Sequence, residues 1–232
     1  MNILNLFKKK ERKPGEPLTI RELDQLIKKR MNVTDQEFMR GYSLIKKYPR
    51  SVSILGSARF KPDNPYYKQA ESLARRIVKE LNYAVVTGAG PGIMEAANKG
   101  AYEANGKSIG FAIKLPKEQK TNPYLTEYVE FEYFFSRKTL LYFSAETYIY
   151  YPGGFGTFDE LFEILTLIQT GEIPPVPVIL VGRKFWKPIL DLIGNELLEE
   201  RTIDSADTSI YKIVDSEDEI MEIIKRAPFR QE

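Results

Sequence analysis

The chain has 232 residues, 43% of them hydrophobic and 28% charged, which is ordinary globular composition and enough for one domain with a buried core. Its 34 Lys and Arg against 32 Asp and Glu leave a net charge of +2, which speaks against a dedicated nucleic-acid binder. It contains no cysteine and no histidine, which excludes disulfides, thiolate nucleophiles, iron–sulfur clusters, Ser-His-Asp catalysis and nearly every common zinc site.

Chemistry must therefore rest on Asp, Glu, Lys, Arg, Tyr, Ser, Thr and backbone N–H groups, with an oxygen-ligated Mg²⁺ still compatible. No run of 18 apolar residues occurs, and the short apolar start over 1–7 comes before its basic run (Lys8, Lys9, Lys10, Arg12, Lys13), the reverse of a secretory signal. The expectation is a cytoplasmic protein with no membrane contact and a loose basic tail. Pro14, Gly15 and Pro17 mark a linker. Thr19 then opens a helix with Leu23, Leu26 and Ile27 on one face. A second helix is expected over 34–48, because Thr34-Asp35-Gln36-Glu37 has capping-box spacing and Pro49 stops it. Residues 1–48 read as an N-terminal extension of basic tail and two helices, and 49–232 as the main domain.

From residue 51 strands and helices alternate. Strands are expected over 51–55, 83–87, 108–113, 128–133, 147–151, 176–181 and 210–214. Helices are expected over 65–81, 93–105, 136–144, 158–169, 185–198 and 217–226. Pro177 suggests an early or edge position in its strand. The alternation predicts an α/β fold with a doubly wound parallel sheet and helices on both faces. Ligands of such sheets sit beyond the carboxyl ends of the strands.

Three expected strand ends carry glycine: Gly56-Ser57; Gly88, Gly90 and Gly92; and Pro152-Gly153-Gly154-Phe155-Gly156-Thr157. Glycine brings backbone N–H groups close to an anion, and a following helix N-terminus adds positive partial charge, so a phosphate monoester fits; a plain turn before a capped helix is the alternative. Ile93 stands where a dinucleotide fingerprint needs its third glycine, and no Gly-Lys-Ser/Thr follows a glycine loop, so the pattern points to a mononucleotide. Thr157-x-x-Glu160 has capping-box spacing, in which Glu160 would turn back on its own helix; otherwise it faces the ligand. Asp159 and Glu160 point about 100° apart and do not form a facing carboxylate pair. Arg137-Lys138, flanked by Phe134-Phe135 and Leu140-Leu141, either closes a structural ion pair or reaches an anion.

Ser136-Arg137-Lys138 followed by Pro152-Gly-Gly-Phe-Gly-Thr-Phe-Asp-Glu160 resembles the LONELY GUY family, long labelled possible lysine decarboxylase. Gly88-Ala-Gly-Pro-Gly-Ile-Met-Glu-Ala-Ala-Asn98-Lys-Gly looks like its second glycine motif and Gly56-Ser57 like its first strand-end turn. The similarity spans roughly residues 50–225 and leaves the extension outside. It implies a Rossmann-like catalytic domain that works as a homodimer without cofactor or metal. The implied reaction is hydrolysis of the N-glycosidic bond of AMP or a cytokinin-type nucleoside 5′-monophosphate, giving free base and ribose 5-phosphate. By the resemblance, Arg137 and Glu160 match the catalytic pair, and Gly153, Gly154, Gly156 and Thr157 the phosphate loop. Met94 and Glu95 follow the second glycine loop and are expected to meet base or ribose, with Lys138 supporting the site or pairing with an acid. Nothing in the sequence marks the Schiff-base lysine that a pyridoxal phosphate decarboxylase needs. The competing class is a non-catalytic carrier of a nucleotide-containing cofactor such as molybdenum cofactor.

Overall fold

The computed structural model describes residues 17–115 and 121–228. The basic tail expected at the start of the chain lies outside the described residues. Along the chain run α1 (Ile20–Lys47), β1 (Ser51–Leu55), α2 (Pro65–Arg76), β2 (Ala84–Thr87), α3 (Ile93–Glu103), β3 (Ser108–Ile113), β4 (Glu127–Phe131), α4 (Phe134–Tyr142), β5 (Tyr148–Tyr150), α5 (Phe155–Gln169), β6 (Val178–Leu180), α6 (Arg183–Leu192), β7 (Tyr211–Ile213) and α7 (Glu217–Arg226). Wider π-helical turns extend α2 over Ile77–Leu81 and α6 over Ile193–Leu197.

Among the described residues seven strands form one sheet, all parallel, in the order β4-β3-β2-β1-β5-β6-β7. Strands buried on both faces carry near-continuous apolar runs, as β1, β2, β5 and β6 do. One face packs on α2, α3 and α7 through Leu73, Ile77, Ala96, Ala97, Ile220 and Ile224. The other packs on the end of α1 and on α4, α5 and α6 through Leu44, Ile45, Leu140, Leu161, Ile164 and Trp186. The chain winds outward from β1 to β4, returns, and winds the other way from β5 to β7. The switch point, where such sheets open a crevice for ligands, thus falls between β1 and β5.

Two local expectations are corrected and a third is narrowed. The two helices expected before residue 49 are one continuous helix, α1. No Gly or Pro interrupts the chain between Ile20 and Arg40, so Thr34 propagates a helix already begun; the capping box belongs to Thr19 and Glu22. Helix α5 starts at Phe155 with Gly154 as its N-cap, so Thr157 lies inside the first turn and caps nothing. Of the early or edge position that Pro177 suggested, the early one holds, since strand β6 is internal and begins at Val178. Pro177 is tolerated because it precedes the strand, and its carbonyl accepts from Tyr148 N–H at 2.9 Å.

Candidate active site

The carboxyl ends of β1, β2, β3 and β5 surround a cavity of about 690 Å³. Its wall combines all three glycine-bearing turns. Backbone bonds tie them together: Ser57 N–H donates to Pro152 O at 3.0 Å, and Ile93 N–H donates to Ser57 O at 3.0 Å. Gly56, Ser57, Gly88, Gly90, Met94, Gly153, Gly154, Gly156, Thr157, Arg137 and Glu160 all line the cavity.

Arg137, on the first turns of α4, has only 7% of its side chain exposed. Its Nε donates to Phe111 O at 2.7 Å, which fixes the guanidinium plane against the end of β3. One terminal nitrogen donates to Glu160 Oε1 at 2.8 Å. The other lies over Gly88, where a Cβ would stand 2.4 Å away, so the missing side chain makes room for it. That nitrogen has no hydrogen-bond partner among the described residues, and neither has Glu160 Oε2. Glu160, with 14% of its side chain exposed, thus departs from the capping-box reading: it pairs across α4 and α5 and keeps one oxygen for the cavity.

The other members of the predicted set separate. Lys138 lies outside the cavity wall and binds Asp159 at 2.9 Å and Glu163, bridging α4 to α5. Burial pulls its pKa down, but the bonds to Glu163 and Asp159 outweigh that and the net shift is upward. Glu95 is not in the cavity wall and accepts from Tyr67 Oη at 3.2 Å. Gly92 is not in the wall either. It packs under the first turn with φ +72°, and a Cβ there would stand 2.2 Å from Ser57 O. Burial, with the charge of Glu160 adding, raises the Tyr150 phenol well above its ordinary range; burial and a 2.6 Å bond to Glu163 do the same for Tyr142. Both tyrosines therefore keep their protons across the physiological range.

Sequence reasoning missed several wall residues. Phe134, Phe155, Phe158 and Phe185 add aromatic rings to the wall. Phe158 is anchored edge-on to the buried Trp186 at 5.4 Å, whereas Phe155 is 98% exposed at the rim. Arg59 follows the first turn and has no acidic partner among the described residues. The signal for it was present, a lone arginine two residues beyond a strand-end glycine turn. A buried polar network also went unseen. Asn98 Oδ1 accepts from Thr87 Oγ1 at 2.6 Å and from Asn122 Nδ2 at 2.9 Å, while Asn98 Nδ2 donates to Ser108 Oγ at 2.8 Å. Thr87 Oγ1 in turn accepts from Ala89 N–H at 2.9 Å, and Asn122 Nδ2 donates to Gly90 O at 3.1 Å. The second glycine turn is therefore held from beneath by side chains of three elements.

Residues 94–224 match the family model described as "Possible lysine decarboxylase". The chain is 28% identical over 156 residues to a cytokinin riboside 5′-monophosphate phosphoribohydrolase of Rhodococcoides fascians, covering 65% of this chain and 77% of that protein. The crystal structure of TM1055, a structural-genomics target, superposes with a TM-score of 0.57 at 26% identity over 76% of this chain and 99% of that one. The molybdenum cofactor binding protein of the phototrophic bacterium Rippkaea orientalis shares the fold with a TM-score of 0.53 at 24% identity, over 75% of this chain and 93% of that one. With more than half of its length matched and the Arg-Lys and Pro-Gly-Gly-x-Gly-Thr-x-x-Glu motifs in place, the chain belongs to the LONELY GUY family, the one whose model bears the lysine decarboxylase description.

Proposed function

We propose that this protein hydrolyses the N-glycosidic bond of a purine nucleoside 5′-monophosphate, AMP or an N6-modified relative, to the free base and ribose 5-phosphate. The observation that carries the reading is the open pairing of Arg137 with Glu160, each with an uncommitted atom, in a cavity also lined by a glycine turn at a helix N-terminus. The R. fascians relative's name describes this class of reaction on a cytokinin riboside monophosphate.

The 5′-phosphate would dock on the backbone N–H groups at the start of α5, where the helix dipole favours an anion. Arg59 adds a full positive charge at the same rim. Binding the phosphate there holds C1′ toward Glu160, so that remote binding energy orients the reacting centre. As the bond from C1′ to the purine nitrogen lengthens, positive charge builds on the ribose. Glu160 stabilises that charge and orients the attacking water. The water oxygen bonds C1′, its proton passes through Glu160, and the electron pair of the broken bond leaves on the purine, which is released protonated. Arg137 does not give up a proton readily; it holds Glu160 in place and points its remaining N–H groups at ligand oxygens or the leaving base. A lysine decarboxylase reading has less support, since no lysine lines the cavity among the described residues and Lys138 is engaged by two acids. We also place the working unit as a homodimer, a reading that sedimentation of the purified chain tests directly.

The deciding experiment is incubation of the purified protein with AMP and a panel of nucleoside monophosphates, followed by assay of free base and ribose 5-phosphate. Stoichiometric release of both supports the hydrolase; tight binding without product supports a carrier instead. Glu160→Gln and Arg137→Ala are each expected to lower kcat/KM by about 10²-fold or more, roughly 3 kcal/mol of transition-state stabilisation. A correctly folded variant with near-wild-type turnover removes that residue from the mechanism.

A further inference from the structure

We infer that Glu37, in the helix that precedes the family match, is a positioning residue for Arg137. Its side chain is fully buried, and no basic group pairs with it among the described residues. Its two oxygens are committed to the start of α4: Oε1 accepts from Glu132 N–H at 2.5 Å, and Oε2 accepts from Ser136 Oγ. Helix α4 has Tyr133 at its N-cap and no side-chain cap of its own. The first turn of a helix leaves N–H groups unsatisfied and carries positive partial charge, which together favour a carboxylate there. Glu37 brings a carboxylate to that end from another element, across 99 residues of sequence, and bonds Glu132 N–H just before the cap and the Ser136 hydroxyl in the first turn rather than the turn's own N–H groups. Ser136, which it holds, is the neighbour of Arg137.

The same face of α1 fastens α4 along its length. Arg30 lies 5.6 Å over the Tyr133 ring, Phe38 meets Phe135 edge-on at 5.8 Å, and Gly41 lets Leu140 approach to where a Cβ would stand 2.4 Å from it. Residues 30, 37, 38 and 41 share one stripe of a helix. The guanidinium is thus held directly by Phe111 O at its Nε and by Glu160 at one terminal nitrogen, and indirectly by Glu37 through the first turn of the helix that bears it. Loss of Glu37 frees the start of α4 to shift, and displacements of about 1 Å in a catalytic group cost up to about 10²-fold in rate.

The kinetic arm of the test rests on the hydrolase reading; the exchange arm does not. In the full chain, Glu37→Ala is expected to lower kcat for AMP about tenfold with KM within about twofold. Glu37→Gln, which still accepts from Glu132 N–H and still meets Ser136, is expected to restore kcat to within about threefold of wild type. If Glu37 acts through Arg137, the effect of Glu37→Ala shrinks below about twofold in an Arg137→Ala background. A loss that is the same in both backgrounds overturns the inference, because a general weakening of the fold would act regardless of Arg137. Should Glu37→Ala not fold, Ser136→Ala carries the same cycle. Should the wild type release no base from any nucleotide, the hydrolase reading falls and amide exchange decides the positioning role. Exchange over 133–137 is expected to be at least about tenfold faster in the folded variant, with exchange in β1 unchanged; equal rates in variant and wild type overturn it.

Discussion

The second and third glycine turns of the cavity wall are built on opposite principles. The turn from Gly88 to Gly92 is filled from within. Gly88 yields its space to Arg137, Gly92 is pressed under Ser57 with φ +72°, and the Asn98 network holds the segment from below. The turn from Gly153 to Thr157 is internal at one end and open at the other. A Cβ on Gly153 would stand 2.1 Å from Thr157 Oγ1, whereas Gly154 and Gly156 have nothing within 4 Å, and Phe155 between them is 98% exposed. One turn uses glycine because the protein occupies the space; the other leaves the space open. Glycine counts alone would have treated the two alike.

The contrast is broken most severely at Gly92. An alanine there adds left-handed strain and a backbone clash with Ser57 O, and the turns after β1 and β2 move together because Ile93 N–H bonds the same carbonyl. Gly92→Ala is expected to cost about 3 kcal/mol and lower Tm by about 6–12 °C in thermal unfolding. A Tm within a degree or two of wild type would mean that the inner turn is not held rigid as described. Asn98→Ala comes next. It strips partners from Thr87, Ser108 and Asn122 at once in a site without solvent. Unpaired buried polar groups of this kind cost about 2 kcal/mol here, and kcat should fall with stability because Gly88 and Arg137 lose their common support. A variant that loses stability while turnover per folded molecule stays whole would separate the network from the site.

What was readable in the sequence follows from how local its cause is. The strand over 108–113 coincides with β3, and the helix over 217–226 with α7, because each is bounded by its own turn residues. The three glycine turns and the Arg137 to Glu160 spacing were readable as a motif, and the parallel alternation brings them to one sheet edge. The start of α5 was misjudged because Thr157 and Glu160 satisfy the short-range capping pattern, while Gly154 caps with backbone alone and leaves no side-chain signal. Glu37 was misjudged for the same reason. Its pattern with Thr34 is local, and its partners, Glu132 and Ser136, lie 95 and 99 residues away. Asn122 binding Asn98 is of the same kind. The residues that hold the site in place are those whose reason for being there is tertiary, and no window of the sequence contains both halves of the contact.

The mildest substitution sharpens the comparison most. Gly154 sits at φ −98° and ψ −158°, an extended conformation open to any residue, and its absent Cβ would meet no atom of the protein. On folding grounds alanine is as good as glycine there, so Gly154→Ala should leave stability within about 0.5 kcal/mol of wild type. An added methyl would nevertheless stand at the N-terminus of α5 where, on the proposed function, a phosphate docks on the backbone N–H groups. KM for AMP is therefore expected to rise about tenfold with kcat nearly unchanged, the mark of binding lost equally from ground and transition states. An equal Tm together with an equal KM would show that the open space serves no ligand at that point. The phosphate would then have to be sought nearer Arg59.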